Sequence, residues 1–203
     1  MPAEPRSRLS PEERRAQLIA IGVRFLAEHP LDELTIDELA QRAGVSKALV
    51  FHYFENRQGV ERAIVTTARD SLLLATEPVE DLPPRERIRD TLLRIARFVR
   101  EHSGTFSSLV RGVASGDPAV RAIVDESRER NAQRLRDAFA ELGLADTPAL
   151  RVALRAWVSF TEEALLELII DRRADDEEVV DFLEHTLDGV VEAARRARFS
   201  SLR

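Results

Sequence analysis

A chain of 203 residues that is 44% hydrophobic and 33% charged has enough apolar content for one large core or a small domain joined to a larger one. With no cysteine it is excluded from disulfides, thiolate metal sites and cysteine nucleophiles, which fits a reducing compartment. A formal net charge of -6 requires that any contact with nucleic acid come from cations gathered locally. No apolar run is long enough to span a bilayer, and the start MPAEPRSR lacks the apolar core of a signal peptide. The expectation is a cytoplasmic protein with no membrane partner. Long runs of Ala, Leu, Arg and Glu without persistent alternation predict an all-α fold of about nine helices.

Met1 to Leu9, with two prolines and two arginines, reads as a mobile arm. Arg6 and Arg8 are then available to a minor groove or the backbone, or the arm is a solvated tail. Ser10, Pro11 and Glu13 make a helix start: cap, preset first residue and capping-box acid. The helix runs to about His29, where Pro30 stops it, and Ile19, Val23 and Leu26, with Ala16, Leu18 and Phe25, form its apolar stripe.

Thr35 followed by Glu38 reads as a second capping box, so a short helix begins at Ile36, with Ile36, Leu39, Ala40 and Ala43 at helical spacing. Gly44 ends it by taking the left-handed backbone of a tight turn that Val45 plugs. Ser46 caps a third helix, Lys47 to Phe54, whose Val50 and Phe54 share the inward face. Its outer face is left to Lys47, Ala48, Leu49, Phe51 and His52, with Tyr53 near its end and Arg57 just after. A short helix with such a face has the shape that enters a DNA major groove. Lys47 is the chain's single lysine and Tyr53 its single tyrosine.

The segment AGVSKALVFHYFENRQGV resembles the turn and recognition helix of the tetracycline-repressor-like (TetR) family of bacterial regulators, and the likeness spans roughly Glu12 to Ile64. The resemblance implies base or phosphate contacts from Lys47, Ala48, Leu49, Phe51 and His52, and phosphate contacts from Thr35, Tyr53 and Arg57, with Ser46 capping the helix that presents them. Three positions depart from the family pattern. Phe51 stands where a tyrosine is usual, Arg57 where a lysine is usual, and Leu49 where a small or hydroxylated residue is usual. Leu49 offers a thymine methyl a contact but no hydrogen bond.

Residues 1–56 are thus expected to form a helix-turn-helix DNA-binding domain, and 57–203 a helical effector-binding and dimerisation domain. Asn56 caps a fourth helix from Arg57 to about Thr76, a mechanical link between the two. Gly59 in its first turn serves either a moving joint or close packing, and packing is favoured. EPVEDLPP, Glu77 to Pro84, reads as a loop, and a fifth helix follows from Arg85 to about His102. Ser103 and Gly104 interrupt before a sixth helix through Val113. After a turn at Ser115, Gly116, Asp117 and Pro118, a seventh helix runs to about Leu142.

The seventh helix faces inward with Val120, Ile123, Val124, Ser127, Asn131, Leu135, Ala138 and Leu142. Ser127 and Asn131 interrupt this apolar stripe, so either a ligand or water inside the bundle or a neighbouring backbone group partners them. An eighth helix, about 148–172, and a ninth, about 176–198, are apolar on more than one face. They suit packing both on their own domain and on a twofold mate, with Gly189 and Ala193 allowing close approach.

The function expected is that of a homodimeric repressor that binds a palindromic operator and is released by a small apolar effector. Phe98, Phe106, Val110, Trp157 and Phe160 are its candidate walls, with Ser127, Asn131 and Thr161 as polar handles, although the same residues also read as core. No metal, cofactor or catalytic residue is expected. An enzyme in a helical bundle would need Glu-x-x-His pairs, and residues three before His29, His52, His102 and His185 are Leu26, Leu49, Val99 and Phe182. A scaffold that binds only proteins is the third reading.

Overall fold

Hydroxyl and carboxylate caps set where this chain enters its helices. In the computed structural model, which describes residues 9–111 and 117–197, the Ser10 hydroxyl accepts from the Glu13 N–H at 3.1 Å and the Glu13 carboxylate accepts from the Ser10 N–H at 2.7 Å. This closed box starts α1, Pro11–Leu26. The helix ends three residues before His29, because the residue preceding Pro30 is pushed out of helical geometry. The arm at 1–8 with Arg6 and Arg8, Val113, the turn at Ser115 and Gly116, and Arg198 lie outside the described residues.

A 3-10 turn, Leu31–Glu33, leads to α2, Ile36–Ala43, and α3, Lys47–Phe54. The box expected at Thr35 closes on one side only. Its hydroxyl accepts from the Glu38 N–H at 3.1 Å, but the Glu38 carboxylate turns one turn onward to the Arg42 guanidinium, where the bond is charge-assisted. Gly44 takes φ 64° and ψ 36°, the left-handed turn that the α2–α3 junction needs.

Asn56 caps α4, Arg57–Ala75, by accepting from the Gly59 N–H at 2.8 Å. A Cβ on Gly59 would lie 2.1 Å from the Phe54 carbonyl oxygen, so close packing of α4 against the end of α3 is what this glycine permits. The remaining helices are α5, Pro84–Glu101; α6, Ser103–Arg111; α7, Pro118–Glu141; α8, Pro148–Leu165; and α9, Asp176–Arg196. Three expectations change. Ser103 and Gly104 do not interrupt the chain but open α6, and the break falls at His102, the C-cap of α5. Leu142 is the exposed C-cap of α7 rather than part of its inward face. The helix expected to continue to Arg172 widens into a π turn over Leu166–Asp171, which buries the adjacent Leu165 and Leu166 together with Ile169.

The described residues hold nine α-helices and no strand, packed around two apolar clusters. Leu18, Phe25, Leu39, Val50 and Ile64 centre the first, which α6 and α7 join through Leu109 and Val120. Leu92, Val99, Phe139, Leu154, Trp157, Leu183 and Leu187 belong to the second. Leu72 of α4 packs against both. Along the flank of the second cluster, Arg85, Arg89 and Arg100 of α5 pair with Asp188, with Glu177, Asp181 and Glu184, and with Asp176 of α9. Among the described residues no helix is long and apolar enough to cross a membrane.

Replacing Gly59 by alanine drives a methyl into the Phe54 carbonyl. The expected loss is about 1–3 kcal/mol of stability, seen in chemical denaturation as a lower midpoint with an unchanged slope.

Candidate nucleic-acid interface and ligand cavity

The third helix is held by one face and open on the other. Val50 and Phe54 are buried in the first cluster, while Ser46, Lys47, Ala48, Phe51 and His52 are exposed and Leu49 and Tyr53 half-buried. Phe51, at 46% exposure, is a large apolar ring facing solvent, and the His52 and Tyr53 rings meet edge to face at 5.3 Å. The Ser46 hydroxyl accepts from the Leu49 N–H at 3.2 Å, which fixes the helix start. Thr35 lies exposed at the start of α2.

The charged members of this surface carry partners that sequence reading did not anticipate. Lys47 Nζ sits 2.5 Å from Asp37 Oδ1 in an exposed pair. Arg57 donates from Nε to Glu61 at 2.7 Å and from a terminal nitrogen to the Asp32 carbonyl at 2.7 Å, tying the 3-10 turn to α4. Arg15 lies over the Phe54 ring at 5.2 Å and shares a shallow cleft with Tyr53 and Arg62. Exposed pairs such as Lys47 with Asp37 contribute about 0–1 kcal/mol and exchange readily for another anion.

A second feature lies between the end of α4 and helices α5, α7 and α8: a cavity of about 100 Å³. Phe106, Ser127, Asn131, Trp157 and Thr161 line it. Phe98, Val110 and Phe160 do not. Phe98 meets the His102 ring at a 55° tilt with centroids 4.6 Å apart, Val110 packs on the margin of the second cluster, and Phe160 turns to the surface beside Phe182, 6.0 Å away. Their places on the wall are taken by Leu72, Ile88, Leu92, Ile95 and Leu165, with Thr76 from the last turn of α4.

Three ionisable side chains also reach the lining, and sequence reading missed all of them. Arg87 forms a two-pronged bond to Glu141 at 2.7 and 3.0 Å, which holds the Glu141 carboxyl below its ordinary range. Glu162 is pushed up by burial, against the pull of the Arg128 guanidinium 2.8 Å away. Arg134 is different. It donates to the Leu73 and Thr76 carbonyls and to Asn131 Oδ1, each at 3.3 Å; it makes no ion pair among the described residues, and the acid that acts on it, Glu77, does so from a distance. Burial pushes its pKa down. Its position was visible in outline, since it lies one residue before Leu135 and three after Asn131 on the inward side of α7.

Trp157 Nε1 donates to the Thr186 hydroxyl at 3.0 Å, and the Thr76 hydroxyl donates to the Leu72 carbonyl at 2.8 Å. Thr161 Oγ1 is buried without a partner. An unsatisfied buried hydroxyl costs about 1–3 kcal/mol. Thr161→Val is therefore expected to raise the stability of the ligand-free protein by about 1 kcal/mol, measured as a higher denaturation midpoint.

Known proteins match both halves of this arrangement. Residues 18–64 match the family described as bacterial regulatory proteins, tetR family, and residues 84–188 match the tetracyclin repressor-like C-terminal domain. A crystal structure of a tetR-family transcriptional regulator from Streptomyces coelicolor is 31% identical, covering 92% of this chain and 83% of that one, with a TM-score of 0.77. An uncharacterised HTH-type transcriptional regulator of Mycobacterium bovis is 29% identical over 114 residues, 55% of this chain and 53% of its own. The chain thus spans about half the length of the curated relatives it matches. The structure of AibR in complex with isovaleryl coenzyme A and operator DNA shares the fold, at 19% identity and a TM-score of 0.64, with 86% of this chain and 98% of that one covered. With a helix-turn-helix at one end and the matching C-terminal bundle at the other, the chain belongs to the TetR family of DNA-binding transcriptional regulators, which are not enzymes.

Proposed function

We propose that this regulator is a cytoplasmic repressor that binds a palindromic operator as a homodimer and is released when a small molecule with an apolar body enters the cavity. The observation that carries this reading is the course of α4. Its first turn abuts the end of α3, and its last turn, through Leu72 and Thr76, forms part of the cavity wall. A ligand that spreads the wall therefore pushes on the helix that positions the head. Two recognition helices must sit about 34–36 Å apart to enter successive major grooves, so a small rotation of each head abolishes simultaneous docking. AibR, solved with both an acyl coenzyme A and operator DNA, shows that this fold accommodates both kinds of partner in one protein.

The dimer is supported by an unpaired apolar strip. Val152 and Phe160 of α8 are 63% and 41% exposed and Phe182 of α9 is 45% exposed, while Gly189 has open space where a Cβ would stand. Such residues suit a four-helix contact with a second copy. In this reading the DNA-binding domain is 1–56 and the effector and dimerisation domain is 57–203, with α4 packed into both clusters. Lys47, Ala48, Leu49, Phe51 and His52 meet bases or phosphates, and Thr35, Tyr53 and Arg57 meet phosphates. Ser46 holds the helix start.

The test is to sequence genomic fragments retained by the purified protein and to repeat the selection with variants. Tyr53→Phe is expected to weaken binding by a similar factor on all retained sequences, about 1 kcal/mol, whereas Lys47→Ala also changes base preference at one position of each half-site. A protein that stays monomeric, or one that retains no palindromic sequence, overturns the reading.

A further inference from the structure

We infer that the cavity takes a small amphipathic carboxylate, its hydrocarbon body among Ile88, Leu92 and Trp157 and its anionic head on the guanidinium of Arg134. This rests on the reading of the cavity as the effector site and adds the chemical class of the effector.

The argument is one of charge. Of the three ionisable residues on the lining, Arg87 is matched by Glu141 and Glu162 by Arg128, each pair within hydrogen-bond distance. Arg134 alone has no carboxylate within reach among the described residues, and its bonds to the Leu73 and Thr76 carbonyls and Asn131 are long, 3.3 Å each. The other charges acting on it are Glu77, from beyond ion-pair distance, and the like charges of Arg130 and Arg94. A partly buried guanidinium without a counter-ion is unfavourable, and two carboxylate oxygens match its fork.

An ammonium head would meet this uncompensated cation, since the one acidic residue on the wall is already paired. A neutral head accepts a hydrogen bond from Arg134 but brings no charge to offset it and does not match both prongs of its fork. The hydrocarbon part follows from the rest of the wall, which is aliphatic and aromatic. Its size follows from the volume: a cavity of about 100 Å³ is smaller than the ~150 Å³ engineered cavity that admits benzene, so it holds a body of roughly four or five carbons.

The experiment measures binding of n-alkanoates, n-alkanols and n-alkylamines of about four to ten carbons to the full-length protein by calorimetry. Hexanoate is expected to bind at least about tenfold more tightly than hexanol, with hexylamine weakest. In Arg134→Met the hexanoate and hexanol affinities converge, and Arg134→Lys, which keeps the charge without the fork, restores part of the difference. Equal binding of hexanoate and hexanol by the native protein, tighter binding of hexylamine, or an Arg134→Met protein that keeps the carboxylate preference overturns the head-group assignment while leaving the cavity a binding site. Failure of every compound to bind overturns the effector-site reading and this inference with it. The native comparison decides the matter even where a variant does not fold.

Discussion

One helix is asked to satisfy two cores. α4 is 19 residues long, about 28 Å of stiff rod, and its first three turns lend Val60, Ile64, Val65 and Ala68 to the cluster beneath the recognition helix. The contact there is tight: a Cβ on Gly22 of α1 would stand 2.1 Å from Ile64 Cδ1. At the other end Leu72 packs against both clusters and Thr76 forms part of the cavity wall. A close-packed interior does not absorb a shift at one end of such a rod by local compression. A shift of the Leu72–Thr76 end of α4 must therefore move the head or break one of the two packings.

The end of α4 is held electrostatically as well as by packing. Its last carbonyls lack partners within the helix, as at any C-terminus, and Arg134 supplies donors to two of them from α7. The same guanidinium lies on the cavity lining, so one side chain joins the contents of the cavity to the terminus of the helix that carries the head. This placement gives the C-terminal bundle a chemical handle on α4 in addition to a steric one.

Charge elsewhere is organised to hold helices together. The net acidity lies partly in the α9 carboxylates that face arginines of α5, well apart in sequence from the head. The exposed face of α3 and its flank are only mildly cationic, since Lys47 is paired with Asp37 and Arg57 is occupied by Glu61 and the Asp32 carbonyl. A chain of net charge -6 is compatible with DNA binding through such a surface when steering and phosphate contact depend on a few local cations.

The sequence by itself determined the local structure. Caps at Ser10, Ser46, Asn56 and Asp117 start helices in the structure, and Gly44 makes the left-handed turn, because capping and turn chemistry act within a few residues. Apolar spacing likewise told the inward face of α3 from its outward one, and family likeness in the same segment pointed to regulators of this kind. What local spacing left open was every relation between helices far apart in the chain. Phe160 and Phe98 read as cavity walls because an apolar residue on a helix looks alike whether it faces a cavity, a core or solvent. Glu38 left its expected box for Arg42, Lys47 found Asp37, and Arg134 lined a cavity without a carboxylate beside it. Only the tertiary structure decided these, because the partner of a charged or apolar group is set by which helices are brought together, and that depends on the packing of the whole chain rather than on spacing within one segment.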